Sequence, residues 1–197
     1  MIPIVKITAD DQFAYLLDKN MPLMVRKSVE LLNTQEVQGA GNNPIIMSWA
    51  KELGGKIQAQ YKGDNIAWCG LFMSIVAYRS GKKLPIYEPF TPLLALSWLK
   101  FGEQVHRAMI GDVLILKRNA GYHVCLYVGE STYYYYAIGG NQADTVSIDR
   151  FDKRKIYRKW DNVGIRRPIY RKEPATVITK IISLASKDGR QALADLQ

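Results

Sequence analysis

The spacing of apolar residues changes once along this 197-residue chain, close to Gly111. Before that glycine, apolar residues recur three and four positions apart, which is typical of amphipathic helices. After it they alternate with polar residues or form short runs between turn signals, which is typical of strands. These runs are GDVLILKR, YHVCLYVGE, STYYYYAIGG, DTVSIDRF and NVGIRRPIY. Helices followed by strands indicate an α+β fold, with N-terminal helices packed on a C-terminal antiparallel β-sheet.

Five helices are predicted before Gly111 from their start and stop signals. We place the first after Thr8, the second around Pro22, the third from Asn43 and Pro44 to Gly54 and Gly55, the fourth from about Cys69 to Gly81, and a short fifth within residues 91–102. The third has the strongest signals, because an asparagine before a proline is a common helix start and glycines are common helix ends.

The chain divides into two predicted units. Residues 1–171 form the α+β domain, and residues 172–197 form a C-terminal amphipathic helical tail. The apolar stripe of the tail consists of Val177, Ile178, Ile181, Ile182 and Ala185, at helical spacing. We expect this stripe to dock on its own domain or on a partner protein, and we favour its own domain slightly.

The net charge of +9 is concentrated in one segment, because residues 150–172 hold ten lysines and arginines against two aspartates. A concentrated basic surface favours anionic partners such as nucleic acid, anionic lipid and the acidic polymers of a bacterial wall. Alternatively, this basic segment is a solvent-exposed edge of the fold that binds no partner. We expect no nucleic acid partner, because only the basic run points to one.

No transmembrane segment and no secretory signal are expected. The longest apolar run, residues 66–78, is too short to cross a bilayer, and residues 1–12 contain two acids and no apolar core of the secretory type. The two cysteines, Cys69 and Cys125, are too few for a disulfide framework and belong to no cluster with metal-ligand spacing. The sequence therefore predicts no metal and no organic cofactor.

Cys69 falls in the first turn of the fourth predicted helix. Unpaired N–H groups and the helix dipole stabilise a thiolate there, which favours nucleophilic chemistry. A base is then needed, and the chain has only His106 and His123. His123 is the better candidate, because it lies in a predicted strand, whereas His106 lies in a polar connector. A third group has to orient the imidazole, and the only cluster of side-chain amides downstream consists of Asn141 and Gln142.

Each of these residues also has an ordinary structural interpretation. A lone cysteine on a helix is often a small core residue, a lone histidine on a strand is often structural, and GGNQ is a turn-forming sequence. Their order favours chemistry, because a cysteine at a helix start, a histidine on a strand and an amide after the next strand form a complete set.

Five sequence segments occur in an order found in a known group of enzymes. WCGLFM, SWLKFGEQV, GDVLILKR, GYHVCLYVG and GGNQADTVSI lie within residues 22–168. Together they resemble the papain-like cell-wall peptidases of the NlpC and CHAP (cysteine, histidine-dependent amidohydrolase/peptidase) group, more closely the branch found in bacteriophage lysins and tail-associated hydrolases. The resemblance implies a papain-like fold and hydrolysis of a peptidoglycan amide bond, as an endopeptidase or an amidase.

The resemblance also implies roles for individual residues. Cys69 would attack the amide, His123 would take and return the proton, and Asn141 would orient His123. The backbone N–H of Cys69 and one upstream side chain would hold the oxyanion. The candidates for oxyanion or substrate contacts are Tyr61, Asn65, Trp68 and Gln142.

A location and partners are implied as well. Without a signal peptide, the protein would be made in the host cytoplasm. It would reach the cell wall after holin-type release or as part of a virion or injection device. Bacterial peptidoglycan is the expected substrate, and the C-terminal helix is available to dock on phage tail or other delivery proteins.

Four positions depart from the family pattern. Trp68 stands where the NlpC type has an aspartate, Cys125 where relatives have a glycine, Gly139 where many CHAP sites have an acid, and Gly63 where papain-type enzymes have a glutamine. Cys125 faces the same way as His123 by strand alternation, so it would crowd the site or form a disulfide with Cys69 under oxidation. These departures leave a second interpretation open: a weak or inactive structural or wall-binding subunit of a phage tail or injection device that retains the fold.

Overall fold

The computed structural model of the protein describes residues 12–87 and 91–170. Its α-helices are α1 (Leu23–Val29), α2 (Pro44–Leu53), α3 (Gly55–Gln60) and α4 (Cys69–Arg79), and short 3₁₀ helices span Ala14–Leu17, Ala95–Lys100 and Lys153–Lys155. Among these residues, no helix is both long and apolar enough to span a membrane.

The strands follow the helices along the chain. They are β1 (Glu103–Gln104), β2 (Val113–Lys117), β3 (Tyr122–Glu130), β4 (Tyr134–Gln142), β5 (Thr145–Asp152), β6 (Arg158–Lys159), β7 (Asn162–Val163) and β8 (Ile165–Arg167). Six strands form one sheet in the order β1-β8-β2-β3-β4-β5, and β6 and β7 form a separate pair. Neighbouring strands are antiparallel throughout. The predicted α+β class is therefore confirmed, and the papain-like topology stays a prediction.

The helix signals around α2 mark its ends well. Asn43 caps the helix as predicted, because its Oδ1 accepts hydrogen bonds from the N–H groups of Ile45 at 2.7 Å and Ile46 at 3.4 Å. Gly54 ends it with a φ of 64°, a conformation that glycine adopts without strain. The prediction that Gly55 also belongs to a helix end is wrong, because the chain turns at Gly54 and begins α3 at the next residue.

Several predictions at the two ends of the chain lie outside the described residues. Thr8, the predicted cap of the first helix, lies there, and the described part of that segment holds the 3₁₀ turn at Ala14–Leu17. The predicted tail helix at 172–197 lies outside as well. The division into a domain of residues 1–171 and a tail stays a prediction for that reason.

Helix α4 is the central element of the core. The nine residues from Cys69 to Ala77 are all buried, so the helix is enclosed on every side over that length. It packs against α2, β3 and β4. The sheet face towards α4 presents Val113, Ile115, Val124, Leu126 and Ile138, and the opposite face presents Leu114, Leu116, Cys125, Tyr127 and Ile165. Apolar contacts between α4 and the first of these faces therefore fix the position of the helix against the sheet.

Gly140 allows β4 to pass close to the start of α4. A Cβ at this position would lie 2.6 Å from both Phe72 Cβ and the Trp68 ring, so a larger residue would push the strand away from the helix. Because glycine has no Cβ, β4 lies directly on the first turn of α4. The end of the helix that carries Cys69 is therefore held against the sheet.

Replacing Asn43 with alanine should lower the free energy of unfolding by about 1–2 kcal/mol, because α2 loses its N-cap. The side chain also loses its 2.7 Å hydrogen bond to the Gln35 carbonyl. Urea unfolding followed by circular dichroism measures the change. Asn20→Ala is the matched control, since Asn20 is exposed and its loss should change stability by less than about 0.5 kcal/mol. Equal unfolding free energies for the two variants would contradict the assigned cap.

Candidate functional site

Cys69 is the first residue of α4 and is 7% exposed. The backbone N–H of Val124 on β3 is near enough to favour the ionised form of its thiol. Burial raises the pKa of the Cys69 thiol above its usual value. The Val124 N–H, the charge of Arg118 and the N–H groups at the helix start oppose that shift but do not overcome it. The resting sulfur is therefore a protonated thiol at neutral pH.

His123 lies on β3, one residue before Val124, and is completely buried. Its Nε2 is 3.0 Å from Oε1 of Gln142, and its ring packs on Phe151 with centroids 5.5 Å apart. Burial, together with the charge of Arg118, lowers the pKa of His123 to about 3, against the opposing effect of the hydrogen bond to Gln142. The imidazole is therefore neutral at physiological pH.

The neighbours of Gln142 decide which nitrogen of His123 carries the proton. Gln142 Nε2 donates to the carbonyl of Ser147 at 2.8 Å and lies 3.2 Å from its hydroxyl, which directs Oε1 towards the imidazole. An amide oxygen only accepts hydrogen bonds, so Nε2 of His123 is the protonated nitrogen. Nδ1 then has a free lone pair, and it has no hydrogen-bond partner among the described residues. A general base needs this form of the imidazole.

Strand β3 carries His123 directly before Val124, whose backbone N–H acts on the Cys69 thiol. The register of β3 with β4 begins where Leu126 pairs with Ile138. Residues of β3 before Leu126 have no partner on β4, and there the backbone N–H of Val124 favours the ionised form of the Cys69 thiol. His123 is the next residue along the strand. No hydrogen bond joins the thiol to Nδ1 in the described part of the chain, so proton transfer between them needs a closer approach than the resting structure has.

The amide that binds His123 is Gln142, whereas the sequence predicted Asn141. A β-bulge explains the difference, because the register of β4 with β5 shifts by one residue between Gly139 and Gln142. A shift of one residue moves a side chain to the other face of a sheet. Asn141 lies within the bulge with a φ of 58°. Among the described residues, His123 has its hydrogen bond with Gln142 and none with Asn141.

Two glycines leave room for amide side chains at this site. A Cβ at Gly139 would collide with Oε1 of Gln142 and would lie 3.0 Å from the Cβ of Cys125. A Cβ at Gly63 would lie 2.6 Å from Oδ1 of Asn65. Position 139 is where the family pattern expects an acid, and position 63 is where it expects a glutamine. The amide of Gln142 occupies the space beside Gly139, and the amide of Asn65 occupies the space beside Gly63.

The remaining candidates for substrate contacts divide into one exposed and two buried side chains. Asn65 is exposed on the loop before α4. Trp68 is completely buried, packs on Trp49 with ring centroids 6.2 Å apart and donates its indole N–H to Glu36 at 3.1 Å. Tyr61 is also buried, and burial raises the pKa of its phenol. Trp68 and Tyr61 therefore support the loop from the core side, and the structure gives them no access to a substrate.

Cys125 is fully buried two residues after His123, on the same face of the sheet. Burial raises the pKa of its thiol well above the usual value. Both cysteines are free thiols, so the disulfide between Cys69 and Cys125 that oxidation would form is absent. His106, the less favoured base, is exposed in the connector before β2.

Sequence reasoning missed two residues at this site. Ser147 fixes the amide of Gln142, and no pattern in the sequence marks it. Arg118 places a positive charge near Cys69 and His123. The only feature of the sequence that could have pointed to Arg118 is its position directly after β2, the strand that pairs with β3 and His123.

Among residues 12–87 and 91–170, no group of three or more His, Cys, Asp or Glu side chains is arranged to hold a metal ion. A search with models of known protein families and a search of curated proteins find no match to this chain. The chemistry of the site therefore has to be inferred from its geometry and from the sequence pattern.

The low pKa of His123 makes the stability of the fold depend on pH. The folded state binds this proton only near pH 3, whereas the unfolded chain binds it near 6.5, so a fall in pH between these values favours unfolding. Between about pH 6 and 4, the unfolding free energy of the wild type should fall by about 1.4 kcal/mol more per pH unit than that of His123→Gln. Urea unfolding at each pH measures both slopes. Equal slopes would show that the imidazole is not buried in its neutral form.

Proposed function

We propose that the protein is a cysteine hydrolase with a papain-like fold that cleaves an amide bond of bacterial peptidoglycan. One observation carries the proposal. The hydrogen bond from His123 to Gln142 leaves the lone pair of Nδ1 free, and the next residue along the strand, Val124, has the N–H that favours the ionised form of the Cys69 thiol. The five ordered segments that resemble NlpC and CHAP enzymes support the substrate class.

The first chemical step forms an acyl-enzyme. The Cys69 sulfur attacks the carbonyl carbon of the amide, and its proton moves to Nδ1 of His123. The oxyanion accepts one hydrogen bond from the backbone N–H of Cys69 and a second from the exposed side-chain amide of Asn65. The tetrahedral intermediate then collapses, the carbon–nitrogen bond breaks, and the imidazolium gives its proton to the leaving amine.

The second step restores the resting enzyme. Neutral His123 takes a proton from a water molecule while the water oxygen attacks the thioester carbonyl carbon. Collapse breaks the carbon–sulfur bond, releases a carboxylic acid and returns the proton to the Cys69 sulfur. Gln142 accepts a hydrogen bond from Nε2 throughout, so it orients the ring without adding a full negative charge beside it.

The resting pair is uncharged in this mechanism. Burial raises the pKa of Cys69 and lowers the pKa of His123, and both shifts favour a thiol and a neutral imidazole over a thiolate and an imidazolium. Charge separation therefore develops during attack on the bound substrate. Since Cys69 is only 7% exposed, substrate binding has to open the site around the sulfur.

The same resemblance supports a place of action. We infer a phage lysin or tail-associated hydrolase that is made in the host cytoplasm. Holin-type release, or transport as part of a virion or injection device, would bring it to the wall. Residues 172–197, which lie outside the described part of the chain, would dock on the delivery proteins in the second case.

A second candidate function is a structural or wall-binding subunit that keeps the fold without turnover. The burial of the candidate site favours this second function. Cys69, His123 and Cys125 are all buried, and Cys125 stands where active relatives have a glycine. Measuring the activity of variants that lack one of the two thiols distinguishes the hydrolase from the structural subunit.

Wild-type protein should release new amino groups from purified peptidoglycan, and Cys69→Ala should reduce the release to background, because the nucleophile is lost. Cys125→Ala is the matched control, since it removes the other buried thiol and should keep activity. Detection of the new amines by colour reaction, with mass spectrometry of the fragments, measures both the rate and the bond. Absence of turnover in wild type with turnover in Cys125→Ala would instead support the structural subunit.

Gln142→Ala should lower kcat by about 10²-fold, at the low end of the contribution of a positioned general base, because His123 loses its orienting partner. Asn141→Gly is the matched control. Glycine tolerates the φ of 58° at that position, and the substitution removes the amide that the sequence favoured. Steady-state kinetics on peptidoglycan fragments compares the two variants. A large loss in Asn141→Gly with little loss in Gln142→Ala would assign the orienting role to Asn141.

A further inference from the structure

Trp160 is the most exposed large apolar side chain of the described residues. It is 90% exposed, whereas the other three tryptophans of the chain are completely buried. Trp160 lies with Asp161 in the turn of the hairpin that β6 and β7 form. A single exposed apolar residue is common on a protein surface. The backbone and the neighbours of Trp160 therefore decide whether it has a role.

The backbone of Trp160 has the left-handed conformation that glycine adopts without strain. Its φ is 52°, which is uncommon for a residue with a bulky side chain. Glycine is the favoured residue where a two-residue hairpin turn needs a positive φ. Residues that keep an unfavourable backbone conformation are common at ligand-binding positions. The chain thus has an aromatic ring in water at a position where the turn alone favours glycine.

The turn that carries Trp160 is attached to the main sheet through β1. Gln104 Nε2 donates to the carbonyl of Asp161 at 2.7 Å, and Gln104 Oε1 accepts from the N–H of Val163 at 3.2 Å. Lys159 Nζ lies 4.6 Å from the centre of the Trp160 ring. The indole is therefore held on a fixed turn with a positive charge over its ring.

A buried arginine lies beside the same turn. Arg166 pairs with Gln104 in the register of β8 with β1. Paired residues share a face of the sheet, so the two side chains extend to the same side. Arg166 Nη2 donates to Oδ1 of Asn162 at 2.5 Å, which places the guanidinium next to the hairpin. Arg166 is 9% exposed, and no other arginine within residues 12–87 and 91–170 is buried.

No acid neutralises the charge of Arg166 in the part of the chain that the structure describes. Its guanidinium bonds to the neutral amide of Asn162, its Nε has no hydrogen-bond partner, and it forms no ion pair there. Arg167, the next residue, pairs with Asp112 at 2.8 Å. A buried guanidinium without an anion is costly, and burial accordingly lowers the pKa of Arg166. An anionic ligand would remove this cost.

The indole and the guanidinium belong to one pocket. It is open to solvent, has a volume of about 410 Å³ and is lined by Gln104, Lys159, Trp160, Asp161, Asn162 and Arg166. Its two cations can bind an anionic group, and its indole can pack on the flat face of a ring. The exposed carboxylate of Asp161 can only accept hydrogen bonds, as from hydroxyl groups. A ring that bears both an anionic group and hydroxyl groups matches all of these features.

We propose that this pocket binds an anionic sugar, that is, a sugar ring that bears a carboxylate or a phosphate. Arg166 and Lys159 pair with the anionic group, and Trp160 packs on the face of the ring. Asp161 accepts hydrogen bonds from the hydroxyl groups. Acidic polymers of a bacterial wall contain such sugars, so the pocket would hold the protein on the wall.

The inference goes beyond the proposed hydrolysis and does not depend on it. Neither Cys69 nor His123 lines the pocket. The pocket would serve an active hydrolase and a subunit without turnover equally well.

An anionic membrane surface is the other partner that an exposed tryptophan among basic residues suggests. Two observations favour a sugar. The exposed carboxylate of Asp161 lies next to Trp160 in the turn, where anionic headgroups would repel it. Arg166 is 9% exposed within a pocket, so a single anionic group can reach it more easily than a flat surface can.

Acrylamide quenching of tryptophan fluorescence reports on this pocket, because Trp160 is exposed and the other three tryptophans are buried. The full-length protein is titrated with N-acetylmuramic acid, which bears a carboxylate, and with glucose 1-phosphate, which bears a phosphate. At least one of them should protect Trp160, and the comparison identifies the anionic group. N-acetylglucosamine, which has no charge, should bind roughly 10- to 100-fold more weakly, because it lacks the hydrogen bonds between charged groups.

Variants measured by titration calorimetry test the two main contacts. Trp160→Gly should weaken binding of the acidic sugar at least about fivefold, and glycine suits the φ of 52°. Arg166→Gln should weaken it roughly 10- to 100-fold and abolish the preference for the acidic sugar. Tyr133→Ala and Lys155→Gln are the matched controls, since they remove an exposed aromatic ring and an exposed cation elsewhere. Circular dichroism verifies that each variant is folded.

Three results would overturn the inference. They are absence of binding of both acidic sugars, equal affinity for acidic and uncharged sugars, and wild-type affinity in both Trp160→Gly and Arg166→Gln. Protection of Trp160 by phosphatidylglycerol vesicles, with no binding of either acidic sugar, would assign the hairpin to a membrane surface instead. Binding is measured without turnover, so failure of peptidoglycan cleavage would overturn the proposed function and leave this inference intact.

Discussion

The hydrogen bond between His123 and Gln142 is the interaction on which the proposed chemistry of the site depends. It assigns the imidazole proton to Nε2, since Gln142 is itself held by Ser147 and presents only an acceptor. The lone pair is thereby left on Nδ1. Without this bond a buried histidine with a pKa near 3 would be a neutral packing residue of undefined tautomer. With it, the ring has the tautomer and the orientation that the proposed general base needs.

The packing that creates the site also explains its resting state. Gly140 lets β4 lie against the first turn of α4, and this contact holds Cys69 against β3 in an almost water-free position. The low dielectric disfavours charge on both reacting groups, so the thiol and the imidazole rest uncharged. Arg118 supplies a positive charge that partly offsets the effect of burial on the sulfur. Burial outweighs that charge, so the resting sulfur keeps its proton.

Much of the fold follows from local sequence, whereas the decisive contact of the site does not. The change of period near Gly111, the cap at Asn43 and the helix start at Cys69 are local features, and the structure has all three. The bulge between Gly139 and Gln142 depends on pairing between two strands, so local sequence does not reveal that His123 bonds to Gln142 rather than to Asn141, the amide that the resemblance implied. Burial of Trp68 and Tyr61 likewise depends on packing between distant segments.

The tautomer of His123 is the quantity that tests this account most directly. Long-range ¹H–¹⁵N correlation spectra of the imidazole side chains report which ring nitrogen carries the proton, and His106→Gln assigns the remaining histidine. We predict that Nε2 is protonated and Nδ1 is not, with no change from about pH 8 down to about pH 5. A ring protonated on Nδ1, or on both nitrogens, at neutral pH would contradict the assignment of His123 as the base.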